Sequence, residues 1–263
     1  MKIFLFLLCA LFMLNSCGTV PLTGRQQIML VSNEEILSSS LKQYDSYITK
    51  SQKSTNAQAI RRVVTVGKRV AAATEAYLKA NGLASEVSNF SWEFNLVKDD
   101  QVNAFCMPGG KIVVYEGLLK VAQTDAELAL VLGHEIAHAV AKHSNERMSQ
   151  QMLEQYGMQI INQATQQKSE AINVLANSVY GLGTKYGIML PFSRTQEYEA
   201  DRLGLMFMAM AGYDPQIAAG FWRKMSAQGG ASAPEFMNTH PSDANRIAQI
   251  EKYLPEAMKR YKK

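Results

Sequence analysis

The spacing of apolar residues changes repeatedly along the chain, and each change marks an element. An unbroken apolar run covers Ile3 to Leu14, too short for a membrane span of roughly 20 residues. Residues 18–32 carry Pro and Gly and no period, so they read as a tether that becomes structured near Ile28 to Val31. Helical spacing begins at Asn33 and runs to Ile48, with Ser32 or Asn33 as its cap. Ser51 to Asn56 is polar and breaks it. Ile60, Val63, Val64, Val70, Ala71, Tyr77 and Leu78 then fall on one face of a longer helix that Asn81-Gly82 stops. From Phe90 the period drops to two. Phe90, Trp92, Phe94 and Leu96 alternate with polar residues, as in a half-buried strand. Val102 to Met107 and Lys111 to Tyr115 form two further strands about a Pro108-Gly109-Gly110 turn.

Beyond the strands the pattern is helical to the end. Thr124 and Glu127 make a capping box for a helix that carries Leu128, Val131, Leu132, Ile136 and Val140 inward and runs past His138. Residues 145–178 are rich in Gln and Met and still helix-compatible, and 180–187 contain three glycines and read as a loop. A helix capped near Ser193 runs through Glu197 and Asp201 to Gly212. Another starts at Asp214-Pro215 and stops at Gly229-Gly230, and a last one spans Ser242 to Tyr253. The pattern therefore predicts an α+β, mainly helical fold with a small sheet beside a central helix. It forms one domain over 33–254, followed by a basic tail over 255–263.

Charge and cysteine use refine this. Lys2, the apolar run and Leu14-Asn15-Ser16-Cys17 look like a bacterial lipoprotein signal over residues 1–16. Cys17 would then carry the lipid that anchors a tether over 17–32 to a membrane. Gly18, where an Asp often marks inner-membrane retention, leans the anchor toward the outer membrane. Of the other cysteines Cys9 leaves with the signal, so Cys106 alone remains and no internal disulfide can form. The net charge of +4 is spread without a long basic run and does not call for nucleic acid.

The chemistry lies in His134-Glu135-Ile136-Ala137-His138. Histidines four apart share a helix face, so both imidazoles reach one ion. Glu135 sits about 100° around the helix from His134, poorly placed as a ligand and well placed to take a proton from water on the metal. The flanking Leu130, Val131, Leu132, Ile136 and Ala137 are apolar, and burying an unpaired Glu among them is costly without a cation. A catalytic zinc needs a third protein ligand. Glu197 and Asp201 share a face at i, i+4; one can bind metal while the other supports a ligating histidine.

H-E-x-x-H followed at a distance by E-x-x-A-D resembles the zinc peptidase family of the CAAX prenyl endopeptidases and the heat-shock protease HtpX. Asn103-Ala104-Phe105, Pro108-Gly109-Gly110, Glu116-Gly117-Leu118-Leu119, Ser193-Arg194, Arg202-Leu203-Gly204, Thr239-His240-Pro241-Ser242 and Arg246-Ile247 extend the match. With Cys17, it points to the secreted lipoprotein branch of BepA- and LoiP-like proteins. The resemblance implies a zincin-like fold, one Zn2+ per chain, Glu197 as third ligand and Asp201 behind it. His240 becomes a transition-state donor or a temporary fourth ligand. Also implied are unfolded or misassembled envelope proteins as substrates and a place on the periplasmic side of the outer membrane. Lys111 to Tyr115 offers a candidate open edge for an extended substrate. His143 reads as a solvated residue near its helix end and Cys106 as buried filler. The rival reading is a chaperone-like binding protein with a silent or structural zinc; a second is a zinc hydrolase acting on cell-wall amide bonds.

Overall fold

The computed structural model describes residues 17–153, 193–227, 236–237, 240 and 244–262. The expected signal segment, the 180–187 loop and the Gly229-Gly230 stop lie outside these residues. Two short strands, β1 (Cys17–Thr19) and β2 (Gln26–Ile28), pair antiparallel. Helices α1 (Asn33–Lys50) and α2 (Ala57–Ala80) follow, then the short α3 (Ala84–Val87). Ser32 and Glu35 close a capping box on α1, and α2 ends at Asn81, as its sequence requires.

Strands β3 (Glu93–Val97), β4 (Ala104–Met107) and β5 (Lys111–Tyr115) form a sheet in the order β3-β5-β4. Strand β5 runs parallel to β3 and antiparallel to β4. The expected open edge at Lys111 to Tyr115 is therefore wrong: β5 is the central strand, and β4 is the edge beside the H-E-x-x-H helix. The cause is visible in the residues. Ile112, Val113 and Val114 are all fully buried, and an unbroken apolar run marks a strand covered on both faces.

After α4 (Glu116–Leu119) comes the central helix, α5 (Asp125–Val140), opened by the Thr124–Glu127 capping box. Nearly every residue from Leu128 to Val140 is buried, because α2, α7 and β4 all pack against α5. Helix α6 follows over residues 143–153. Helix α7 (Arg194–Met210) starts from a Ser193–Gln196 capping box. A 3-10 turn (Pro215–Ile217), α8 (Ala218–Ser226) and α9 (Ala244–Met258) complete the described chain. Helices α5 and α7 cross at two glycines. A Cβ on Gly204 would lie 2.8 Å from His134 N, and one on Gly133 would lie 2.9 Å from Gly204 O. Both neighbours are backbone and cannot give way, so this crossing exists only with glycine on both helices.

Two end regions differ from expectation. Residues 17–32 are not a loose tether: Val20 is buried in the core and Arg25 reaches into a polar network described below. Helix α9 continues into the expected basic tail, because Ala257 is itself buried. Among the described residues no helix is long and apolar enough to cross a membrane.

Candidate metal centre

Helix α5 presents His134, Glu135 and His138 toward α7 and β4, all 1–2% exposed. One turn of helix separates the two histidines, and their Nε2 atoms lie 3.0 Å apart. From α7, Glu197 brings its carboxylate within 3.4 Å of both, Oε2 to His134 Nε2 and Oε1 to His138 Nε2. One ligand atom from each of His134, His138, Glu197 and His240 lies within 4.8 Å of the others. The structure thus gathers all four of these sequence candidates at one point.

The outer nitrogens of the two histidines explain why the inner ones converge. His134 Nδ1 is 3.0 Å from Asp201 Oδ1. Arg246, from α9, clamps that carboxylate with Nε to Oδ2 at 2.7 Å and Nη2 to Oδ1 at 2.8 Å. The guanidinium is buried over the face of Trp222, 3.9 Å from the ring centre. A carboxylate held this way only accepts, so His134 donates from Nδ1 and keeps its Nε2 lone pair for the metal side. Asp201 thus stands behind His134.

His138 is supported differently. Its Nδ1 lies 2.8 Å from Nδ1 of His143, whose Nε2 lies 2.9 Å from Glu199 Oε2. The expectation of a solvated His143 is wrong; the residue is fully buried. Five residues along a straight helix would turn it about 140° away from His138. The chain instead breaks at Lys142, a left-handed residue with φ 59°, and α6 begins at the next residue. Neither Glu199 nor Arg25 was identifiable as part of the site. Only the spacing of a third histidine after H-E-x-x-H hinted at His143.

His240 closes the other side. Its backbone N–H donates to Phe236 O at 2.8 Å, and Phe236 N–H donates to Val102 O, just before β4. The Phe236 and His240 rings stack at 4.3 Å. His240 Nδ1 is 3.0 Å from Glu197 Oε1 and its Nε2 is 3.3 Å from Glu135 Oε1. Glu135 accepts from Cys106 N–H on β4 at 3.0 Å. It borders a cleft of about 440 Å³ lined by Tyr47, Phe105, Met107, Tyr115 and Met148 among others.

The charges ask for a cation. Glu135, Glu197 and Asp201 are buried, and among the described residues Arg246 is the guanidinium buried with them. Burial opposes the charged form of His134, yet Glu197 and Asp201 push it up to about 9. The two carboxylates thus favour positive charge at this point. Burial drives His138 well below its usual value, into the neutral form a metal ligand needs. Burial also raises Glu135, toward the range of a useful base. Burial resists ionisation of Glu197, but His240, Arg246 and His134 hold it well below the usual carboxylate range. Two neutral-capable imidazoles and an ionised carboxylate are the donor set of a zinc site.

Residues 65–254 match the model of the peptidase family M48. The chain belongs to peptidase family M48. Zinc is the metal that fits both the family and the four donors. The chain is 38% identical over 175 residues to the mitochondrial metalloendopeptidase OMA1 of Schizosaccharomyces pombe, covering 66% of this chain and 50% of that protein. It is 27% identical to human mitochondrial metalloendopeptidase OMA1 over 96% of this chain and 49% of that one. It is 31% identical to the beta-barrel assembly-enhancing protease of Escherichia coli over 60% of this chain and 33% of that one. The chain spans about half or less of the length of these relatives. The zinc metallopeptidase expectation holds at the level of the family, while the matches do not single out the CAAX or lipoprotein branch. The expected place on the periplasmic side of the outer membrane is overturned, since the relatives that match across nearly the whole chain are mitochondrial.

Proposed function

We propose that this M48 chain is a zinc-dependent endopeptidase in which His134, His138 and Glu197 hold the metal and Glu135 is the general base. Bound zinc would lower the pKa of a water toward about 7 and polarise a substrate carbonyl. The observation that carries the reading is the position of Glu135. Its carboxylate borders both the donor cluster and the cleft, and it takes no part in the ligand set. There Glu135 takes the proton of the attacking water and returns it to the leaving amine. Among the described residues strand β4 pairs with β5 alone, and its other edge, where Cys106 N–H meets Glu135, would take an extended peptide along that cleft. This mode reads backbone shape and suits unfolded or misassembled proteins. The likeness to a protease named for beta-barrel assembly supports envelope proteins among such substrates.

Glu135→Gln tests the base. Zinc content is expected to stay near one per chain while cleavage of an unfolded protein falls by at least about 100-fold, the usual contribution of a general base. Normal cleavage by this variant would remove Glu135 from the mechanism.

A second reading has one observation in its favour. His240 is near enough to serve as a fourth donor, and a catalytic zinc keeps one position open. The resting site is then silent until His240 withdraws, and the chain binds unfolded partners without cutting them. His240→Ala decides: a rise in cleavage supports the silent site, and a fall makes His240 a catalytic donor.

A further inference from the structure

The N-terminal hairpin sits far from the cluster in sequence and is bound tightly to it in space. Arg25 Nε lies 2.8 Å from Glu199 Oε2, and the Thr23 hydroxyl donates to Glu199 Oε1. The rest of the guanidinium grips Glu146 on α6 through two parallel hydrogen bonds of 2.8 Å. Gln196 donates to the same carboxylate at 2.8 Å. Further along, Leu30 N–H donates to the Ser149 hydroxyl at 2.9 Å and Asn145 donates to Val31 O at 3.1 Å. Residues 23–31 are therefore fastened to α6 and α7 at several points, and α6 is the helix that carries His143.

The hydrogen bonds have a forced direction. Arg25 and Thr23 keep Glu199 ionised and accepting, so His143 must donate to it from Nε2. A neutral His143 then has only an acceptor at Nδ1, and His138 must donate to it from its own Nδ1. The one atom left on His138 to face the cluster with a lone pair is Nε2. We propose that the N-terminal hairpin is part of the metal centre, with Arg25, acting through Glu199 and His143, holding His138 in the orientation and tautomer that present Nε2 to zinc. Arg25 and His143 are positioning residues. Their work is to keep zinc bound, beyond whatever they add to folding.

The test measures zinc affinity of the full chain by competition with a chelator, beside the melting temperature of the metal-free protein. The variants are Arg25→Gln, His143→Asn and the two combined. Asn keeps an acceptor near the Nδ1 position of His143 and cuts the link to Glu199. Each single variant is expected to weaken zinc binding by about 10–100-fold, the usual effect of a residue behind a ligand. The double variant is expected to bind no worse than His143→Asn alone, because the link runs in series. Arg25→Lys, which keeps a charge beside Glu199, is expected to recover part of the loss and guards against misfolding. Arg62→Gln, which loses an exposed pair with Asp125, is expected to bind zinc as the native chain does. Native affinity in both single variants, whatever their melting temperatures, would overturn the proposal, and so would fully additive losses. A native chain that binds no zinc would overturn the metal centre and this proposal with it.

Discussion

The two histidines of one helix turn are supported in opposite ways. His134 rests directly on Asp201, and Asp201 on Arg246, all 1–3% exposed. His138 rests on a second imidazole, then on Glu199, then on Arg25, whose side chain is 24% exposed. The first support is short, dry and drawn from helices close to the C-terminus. The second is longer by one imidazole and ends at the surface in the N-terminal hairpin. Helix α7 serves both, since Asp201 and Glu199 stand two residues apart and point to different sides of α5. The difference teaches that ligand spacing on a helix sets where two imidazoles go but not how each is held. A buried charge pair is stringent because a partner left alone stays desolvated. A pair near water relaxes more cheaply.

A change that strikes both supports at once has the largest expected effect. Gly204→Ala places a methyl 2.8 Å from His134 N and pushes α7 off α5, moving Glu197, Glu199 and Asp201 together. Overpacking of this kind costs about 1–3 kcal/mol, and zinc binding is expected to fail even where the protein still folds. Thermal melting and zinc content check it; native zinc affinity would show that the crossing does not set the site.

The next comparison separates the two sides. Asp201→Asn neutralises one of the two buried carboxylates on Arg246, with Glu197 remaining at 2.9 Å, so its cost is expected at or below the lower end of the about 3–5 kcal/mol of a broken buried pair. Glu199→Gln leaves Arg25 still paired to Glu146 and is expected to cost less than half as much. Denaturant unfolding of the metal-free proteins gives both numbers, and equal losses would erase the contrast drawn here.

The smallest effect concerns acid. Burial tends to raise Glu146, but Arg25 and Gln196 lower it below its usual value. A depressed carboxylate contributes stability that is complete above the unfolded value, about 4.3, and disappears as the pH falls through the folded one. Below about pH 4.3 the hairpin side is thus expected to loosen. Glu146→Gln is expected to be less stable at neutral pH, by about 1–2 kcal/mol, and to lose less on acidification. An unchanged acid profile in this variant would show that Glu146 plays no part in holding Arg25.

Much of the fold was legible because its signals are local. The Thr124–Glu127 box, the apolar faces of α2 and α5 and the Pro108-Gly109-Gly110 turn each act within a few residues. The strand order was not, because pairing depends on which strands meet across the chain. The run Ile112 to Val114 did carry the mark of a central strand, and its covered position follows from that mark.

The sequence alone determined that His134 and His138 share a face, that Glu135 does not, and that Glu197 and Asp201 return together one turn apart. Those are consequences of 3.6 residues per turn and hold wherever the helices lie. Only the tertiary structure decided which carboxylate faces the imidazoles and which stands behind one of them. It also decided that His143 is buried against His138 and that Arg25 reaches the centre from a segment without any period. These outcomes rest on the glycine crossing of α5 and α7 and the left-handed break at Lys142. Both features fix the relative placement of elements, and no pattern along a single element records that.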